Sequence, residues 1–537
     1  MPTKIIEITA KNGVTYIYED YSYWDKERGY STHKRKCIGK VGKGGHYIYN
    51  EYYKSRQQMN ELKEKLQSSP KVCKTTLIGQ RMVLESIVKQ IKIEKILSEV
   101  FGKEDATKLL ALSYYYICRS KALSRAETWL EDRGFDSLNL SSQRISELLS
   151  RLDDDKLNTF FCKWVTLQSK GKSLLFDITS ISTYGKDNCY AERGYNRDKE
   201  KLEQINLSLL MSCENSLPLW YAINPGSMSD KIVVDYVLKS LEKLGVANFT
   251  FVGDRGFYSS ENLLNLVKRG HKFTLPVPSH IVWQKQMIGE HKDSLRRAEN
   301  ALEDDQTIIY GKTVHKISEY GRTYYHIYFD PTRKEKNIAS FMLKLQRCKE
   351  ELESDKIFEA NKKLYETYFI IKKSSKGQRV TYNDEAIDSF IQNDSCYWLL
   401  ISTSSKSAAE ALHQYRLRNE VEISFDDLKN MLDLRRLRNH NEKTVKGKVF
   451  CNFLALIILS QLRKTVNEIP KKERKYWSEH DMLDKVDSFA KIHFSGKYKD
   501  VYTTATAAQR TIFNLLGIKF QYKDKVYNDK KENPNQT

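Results

Sequence analysis

Ser173-Leu174-Leu175-Phe176-Asp177-Ile178-Thr179 is a strand-like apolar run with one carboxylate set inside it. An unpaired charge buried in such a run is costly, so something must compensate Asp177. Further short β-rich runs follow at 206–213, 219–223, 249–252 and 272–277, with amphipathic helical stretches near 231–244 and 262–269. Three strands, then helix, strand, helix, strand, is a mixed α/β order, a sheet flanked by helices. The fourth run ends in Gly253-Asp254-Arg255-Gly256-Phe257, where a buried-type strand meets a second Asp at a glycine-flanked turn. Either Asp alone is more often a cap, a turn former or a salt-bridge partner than a catalytic group.

Working outward, residues 1–65 alternate aromatic and polar positions and carry His33-Lys34-Arg35-Lys36 before Gly39, Gly42, Gly44 and Gly45. Hairpins with basic turns fit this pattern, either touching a phosphate backbone or forming a solvated loop. Residues 66–168 switch to helical spacing, clearest at Ile145, Leu148, Leu149 and Leu152. This region is expected to be a helical domain that binds DNA, although a stripe at this spacing is first of all a core. Residues 169–278 and 395–465 form the two parts of the α/β core. Between them, 279–394 breaks the rhythm with charged helical stretches around Thr323-Tyr324-Tyr325-His326-Ile327-Tyr328, and reads as an α+β insertion. Residues 466–537 read as helical, with a polar tail from Lys523 expected to fray.

The length of 537 residues suggests several folding units. The 89 Lys and Arg against 69 Asp and Glu give +20, which points to a polyanionic partner. The longest apolar run, 453–459, falls well short of a membrane span of roughly 20 residues, so no membrane is expected. Met1-Pro2-Thr3-Lys4 opens without a signal-like apolar region, and a soluble cytoplasmic protein is the expectation. Nine dispersed cysteines, without a C-x-x-C pair, read as reduced thiols and not as a zinc site.

A helix expected over 405–430 carries Tyr415, Arg418, Glu422 and Lys429. At about 100° per residue these four fall within a sector of about 60°, opposite a packing face of Leu412, Val421, Phe425 and Leu428. The polar face is either an i, i+4 salt-bridge face or the border of a site. Two strand-end aspartates plus a helix glutamate could hold two Mg2+ ions, which take oxygen ligands and keep positions open for phosphate. Arg418 and Lys429 would then anchor nearby phosphates.

Tyr415-x2-Arg418-x3-Glu422-x6-Lys429 resembles the signature of the insertion-sequence-four superfamily of DDE transposases. Phe176-Asp177, Gly253-Asp254-Arg255-Gly256-Phe257, Gly194-Tyr195-Asn196-Arg197-Asp198 and Gln204 are similar to its other blocks. Ser22-Tyr23-Trp24-Asp25-Lys26-Glu27 and Ile38-Gly39-Lys40 are similar to a subgroup with long amino-terminal regions. The resemblance implies a ribonuclease-H-like core interrupted by an insertion. It implies Asp177, Asp254 and Glu422 as catalytic, metal-binding residues for Mg2+ or Mn2+, and Tyr415, Arg418, Lys429 and Arg255 as DNA contacts. A bacterial insertion sequence, a cytoplasmic and nucleoid-associated location, and a homodimer on double-stranded DNA (terminal inverted repeats and target) follow from it. Relatives stack a displaced base on a Trp of the insertion, for which Trp283 and Trp398 are candidates. Two alternatives stay open: a transposase-derived DNA-binding protein that no longer cleaves, and a ribonuclease-H-like nuclease.

Overall fold

The computed structural model describes residues 3–68, 71–168, 173–185, 188–304, 307–374, 377–392, 396–439, 441–469, 478–495 and 499–519. The polar tail from Lys523 lies outside them. The chain divides into two units, Met1–Thr75 with Lys491–Thr503, and Thr76–Ala490 with Thr504–Thr537.

In the first unit, β1 (Thr3–Thr9), β2 (Thr15–Asp25), β3 (Tyr30–Val41) and β4 (Tyr47–Tyr49) form an antiparallel meander. His33-Lys34-Arg35-Lys36, expected at a turn, lies inside β3 instead. A strand tolerates this basic run because its charges are met locally. Across the ladder Asp20 takes His33 at 3.0 Å and Arg35 at 3.5 Å, and Lys36 lies 3.6 Å from the ring centre of Tyr52. Tyr52 belongs to α1 (Glu51–Ser68), a helix not foreseen because it is polar nearly all round and shows no apolar stripe. A second sheet joins β5 (Val72–Leu77) to the strands Ala490–Phe494 and Val501–Tyr502, so the carboxy-terminal region is not purely helical.

The second unit opens with α2 (Gly79–Ile91), α3 (Ile93–Phe101), α4 (Lys103–Arg119), α5 (Ala126–Asp132), α6 (Ser142–Ser150) and α7 (Asp154–Gln168). Ile145, Leu148, Leu149 and Leu152 are buried here. A Cβ on Gly447 would lie 2.4 Å from the Leu149 carbonyl oxygen, so Gly447 lets the helix Glu442–Glu468 press directly on α6. That helix extends well beyond the apolar run 453–459 at both ends. It is long and apolar enough to cross a membrane, but 89% of its apolar window is buried inside the protein. All nine cysteines are free thiols.

The central sheet contains β6 (Ser173–Thr183), β7 (Gln204–Ser212), β8 (Pro218–Pro225), β9 (Thr250–Val252) and β10 (Lys272–Pro276). Helices α8 (Asp230–Lys243) and α9 (Ser260–Lys268) fall between its later strands. β6, β7 and β8 are antiparallel neighbours, whereas β9 lies parallel to both β6 and β10. The stretch expected to be a separate insertion begins with α10 (Val282–Leu295) and then gives three strands to this same sheet. These are β11 (Ala301–Asp304), β12 (Thr307–Ser318) and β13 (Gly321–Phe329), of which β13 pairs with the strand Tyr397–Ser402, itself paired with β10. Buried Ile327, Tyr328 and Phe329 explain the docking, since an apolar strand needs a neighbour and finds one in Tyr397–Ser402. Only the remainder, from α11 (Pro331–Glu353) to the helix Asp384–Gln392, gathers a core of its own around Phe341, Leu345, Leu352, Tyr365 and Phe369.

Candidate active site

β6 and β9 run side by side with Leu175 opposite Val252. Two residues further on, at the same strand parity, stand Asp177 and Asp254, so the pleat brings both carboxylates to one edge and one face. Gly253 is required at the exit of β9. A Cβ there would lie 2.9 Å from Phe257 and 3.0 Å from Phe251. Asp254 accepts the Arg255 N–H at 2.7 Å and caps the turn Arg255–Phe257, so a capping role and a place in the site coexist. Asp177 accepts the Ile178 N–H at 2.8 Å.

The helix expected over 405–430 is three pieces: α-helical Ala408–Arg416 and Asn419–Asp426, and a π turn Asp427–Met431. The break at Leu417 places Arg418 at the head of the second piece, facing the strand ends. Its Nη1 lies 3.3 Å from Asp177 Oδ2 and 3.6 Å from Asp254 Oδ2, and its Nη2 donates to Glu422. Arg418 is therefore the hub that joins three carboxylates from three elements. Tyr415 flanks it, with the guanidinium 5.7 Å from the ring centre. Leu412, Val421, Phe425 and Leu428 are buried on the packing side.

Lys429 lies beyond the helix piece that carries Glu422. It sits in the π turn, whose wider winding changes the direction of side chains, and donates to Asp198 at 2.7 Å. Arg255 is exposed beside Asp254. Trp398, a base-stacking candidate by the resemblance, is half-buried, stacks on Tyr328 with centroids 5.2 Å apart, and lines a groove that also reaches Asp254 and Arg418. Trp283 packs edge-on against Tyr325.

Exposure grades across the cleft: the Asp177 side chain is 15% exposed, Asp254 39% and Glu422 52%. Burial pushes the Asp177 carboxyl up to about 6, against the pull of the Ile178 N–H and Arg418, with Asp254 adding to the rise. Burial works against the charge on Arg418, but Asp254, Tyr415, Asp177 and Glu422 outweigh it and hold the guanidinium above its usual range. Burial also raises Tyr415, which stays a neutral hydrogen-bond donor.

Three carboxylates are the hard-oxygen donor set that Mg2+ or Mn2+ prefers. As placed they surround a guanidinium, and among the described residues no three His, Cys, Asp or Glu side chains are gathered closely enough to share an ion. The donor set thus fits a divalent cation in kind, with Arg418 paired to all three carboxylates.

The sequence reading did not place Arg197, Tyr195 or Asp198 at the site. Arg197 and Tyr195 line the same cleft as Asp177 and Glu422, and Asp198 holds Lys429. Their signal was the block Gly194–Asp198, whose loop conformation no periodicity reveals.

Residues 168–458 match the family described as "Transposase DDE domain". The chain belongs to this transposase family. The matched span contains Asp177, Asp254, Arg418 and Glu422, together with the strands and helices that carry them. Among solved structures, this transposase-family chain is similar to one titled "Cryo-EM structure of piggyBac transposase synaptic complex with hairpin DNA (SNHP)", at 11% identity and a TM-score of 0.33, with 76% of each chain covered. No curated protein matches the chain.

Proposed function

We propose that this protein is a transposase of the insertion-sequence-four superfamily, encoded by a bacterial insertion sequence and working in the cytoplasm at the nucleoid. On this reading a homodimer binds terminal inverted repeats of double-stranded DNA and carries out cut-and-paste cleavage and strand transfer into target DNA. The observation that carries the proposal is the convergence of Asp177, Asp254 and Glu422 on one guanidinium within the family-matched span. The order β8-β7-β6-β9-β10, antiparallel and then parallel, with Asp177 on its middle strand, supports a ribonuclease-H-like core.

DDE transposases generally depend on divalent metal, and Asp177, Asp254 and Glu422 would hold it, as two Mg2+ or Mn2+ ions. When bound, such ions supply activation of the attacking hydroxyl and charge neutralisation at the phosphate for in-line displacement. The chain's own groups do the rest. Asp177, its carboxyl raised to about 6 by burial, is mostly ionised at neutral pH and so offers a charged oxygen ligand. Arg418, beside these carboxylates, offers its donors to the phosphate in a fork suited to its oxygens. Tyr415 offers its phenolic O–H beside it, and Arg255 and Lys429 flank the strand.

The test is cleavage of a duplex carrying the element's own end. Nicking should require Mg2+ or Mn2+, and Asp177→Ala, Asp254→Ala or Glu422→Ala should abolish it while end binding persists. Normal cleavage by any one variant removes that residue from the site. End binding by the unaltered chain without cleavage under either ion would favour a silent DNA-binding protein.

A further inference from the structure

We infer that the groove next to the carboxylates is a second strand-binding site, in which cations of α11 and of the turn after β9 take the DNA phosphates flanking the scissile bond. This inference rests on the transposase reading.

The groove has a volume of about 820 Å³ and opens from Asp254 and Arg418 along the first turn of α11. The signature cations are already committed. Arg418 holds three carboxylates, Lys429 holds Asp198, and Arg416, on the groove wall, holds Asp304 at 2.7 Å. A phosphate that reaches any of them must first displace a carboxylate. Arg255, Arg333 and Lys336 line the same groove, are exposed, and have no carboxylate partner among the described residues. A phosphate can meet these three with nothing to displace. Arg333 and Lys336 stand three residues apart on α11, the spacing that puts two side chains on one helix face.

The acidic residues of the groove do not cancel this charge. Asp254 is held by Arg418 at 3.6 Å, Asp304 is taken by Arg416, and Asp330 caps α11 by accepting the Arg333 N–H at 2.9 Å. A separate observation also points to a ligand. Gln284 lines the groove and is only 2% exposed; its Nε2 donates to the Val277 carbonyl at 3.3 Å, and its Oε1 has no partner among the described residues. A buried amide oxygen is rarely left unpaired, and an N–H of an exposed base or an ordered water beside the strand would satisfy it.

The experiment compares two double variants of the full chain on one helix. Arg333→Ala/Lys336→Ala removes the two groove cations of α11, and Lys344→Ala/Arg347→Ala removes two exposed cations of α11 outside the groove. Binding of a mixed-sequence fluorescent DNA single strand, and of its duplex, is measured in EDTA across a salt series. The groove pair should lower the slope of log K against log salt by about 1.4 on the single strand, at roughly 0.7 per phosphate contact. The control pair should leave the slope unchanged. Arg333→Gln/Lys336→Gln, which keeps long side chains on the helix, must reproduce the loss. Equal losses from both pairs, or none from the groove pair, overturn the inference. EDTA separates this result from the proposed function: a groove effect without Mg2+-dependent cleavage keeps the groove and sinks the transposase reading, and cleavage without a groove effect does the reverse.

Discussion

Asp177 and Asp427 make an instructive pair. Each is a buried carboxylate beside a guanidinium, Arg418 for one and Arg463 for the other, and burial pushes each up to about 6. What differs is what else the guanidinium holds. Arg463 donates to Asp427 at 2.9 Å and to Glu479 at 2.6 Å, and the side chains of both carboxylates are largely buried, so the cluster is closed. It ties the π turn that carries Lys429 to the helix Glu442–Glu468. Arg418 holds Asp254 and Glu422, both open to water, beside a cleft of about 440 Å³. The same chemistry is an anchor where it is sealed and a site where its partners stay reachable.

The largest expected effect separates the two aspartates by activity. Asp177→Asn should abolish Mg2+-dependent end cleavage, while Asp427→Asn, of nearly the same shape and burial, should cleave within a few-fold of the unaltered chain. Equal losses would erase the distinction between anchor and site. Next come the guanidiniums, compared by urea unfolding. Arg463→Ala strands two buried carboxylates together and should cost about 3–5 kcal/mol. Arg418→Ala should cost less than that, because only Asp177 of its three carboxylates is buried, while Asp254 and Glu422 keep their water.

A pH series sharpens the closed cluster further. The folded pKa of Asp427, about 6, is above an unfolded value of about 3.9, so the fold favours the protonated form. That contribution is complete below about pH 4 and is lost as pH rises through 6, a change of about 3 kcal/mol. Asp427→Asn removes it, so the variant should gain on the unaltered chain between those pH values and then hold level. A difference that stays flat would mean that Arg463 keeps Asp427 ionised throughout. The smallest effect is expected at Lys429→Ala, which should lower the salt slope of duplex binding by about 0.9, one phosphate contact. No change would leave Lys429 as the partner of Asp198 alone.

Much of the core could be read directly. The strands around Asp177 and Asp254 show because apolar β-rich runs bounded by turns are a local signal, and the core of α6 shows because helical periodicity is local as well. The helix α1 did not show, since a helix with polar residues nearly all round has no stripe to find. His33–Lys36 read as a turn because Asp20 and Tyr52, which accommodate its charge, are neighbours only across the sheet and from the following helix. The segment 279–394 read as an insertion, and part of it is the continuation of the central sheet, because strand pairing between β13 and Tyr397–Ser402 joins residues far apart in the chain.

The three carboxylates of the site divide along the same line. By itself the sequence determined which residues are the candidates: an Asp inside an apolar strand, an Asp at a strand exit, and a Glu spaced from Arg and Tyr on a helix. Those are facts of residue type and local period. Only the tertiary structure decided that they meet, through the parallel register of β6 and β9 and the helix break that turns Arg418 onto the strand ends. It also decided which cations are paired among the described residues, since Lys429 is held by Asp198 while Arg255, Arg333 and Lys336, lining an adjoining groove, have no carboxylate partner there. Charge pairing depends on distance through space, which spacing along the chain does not determine.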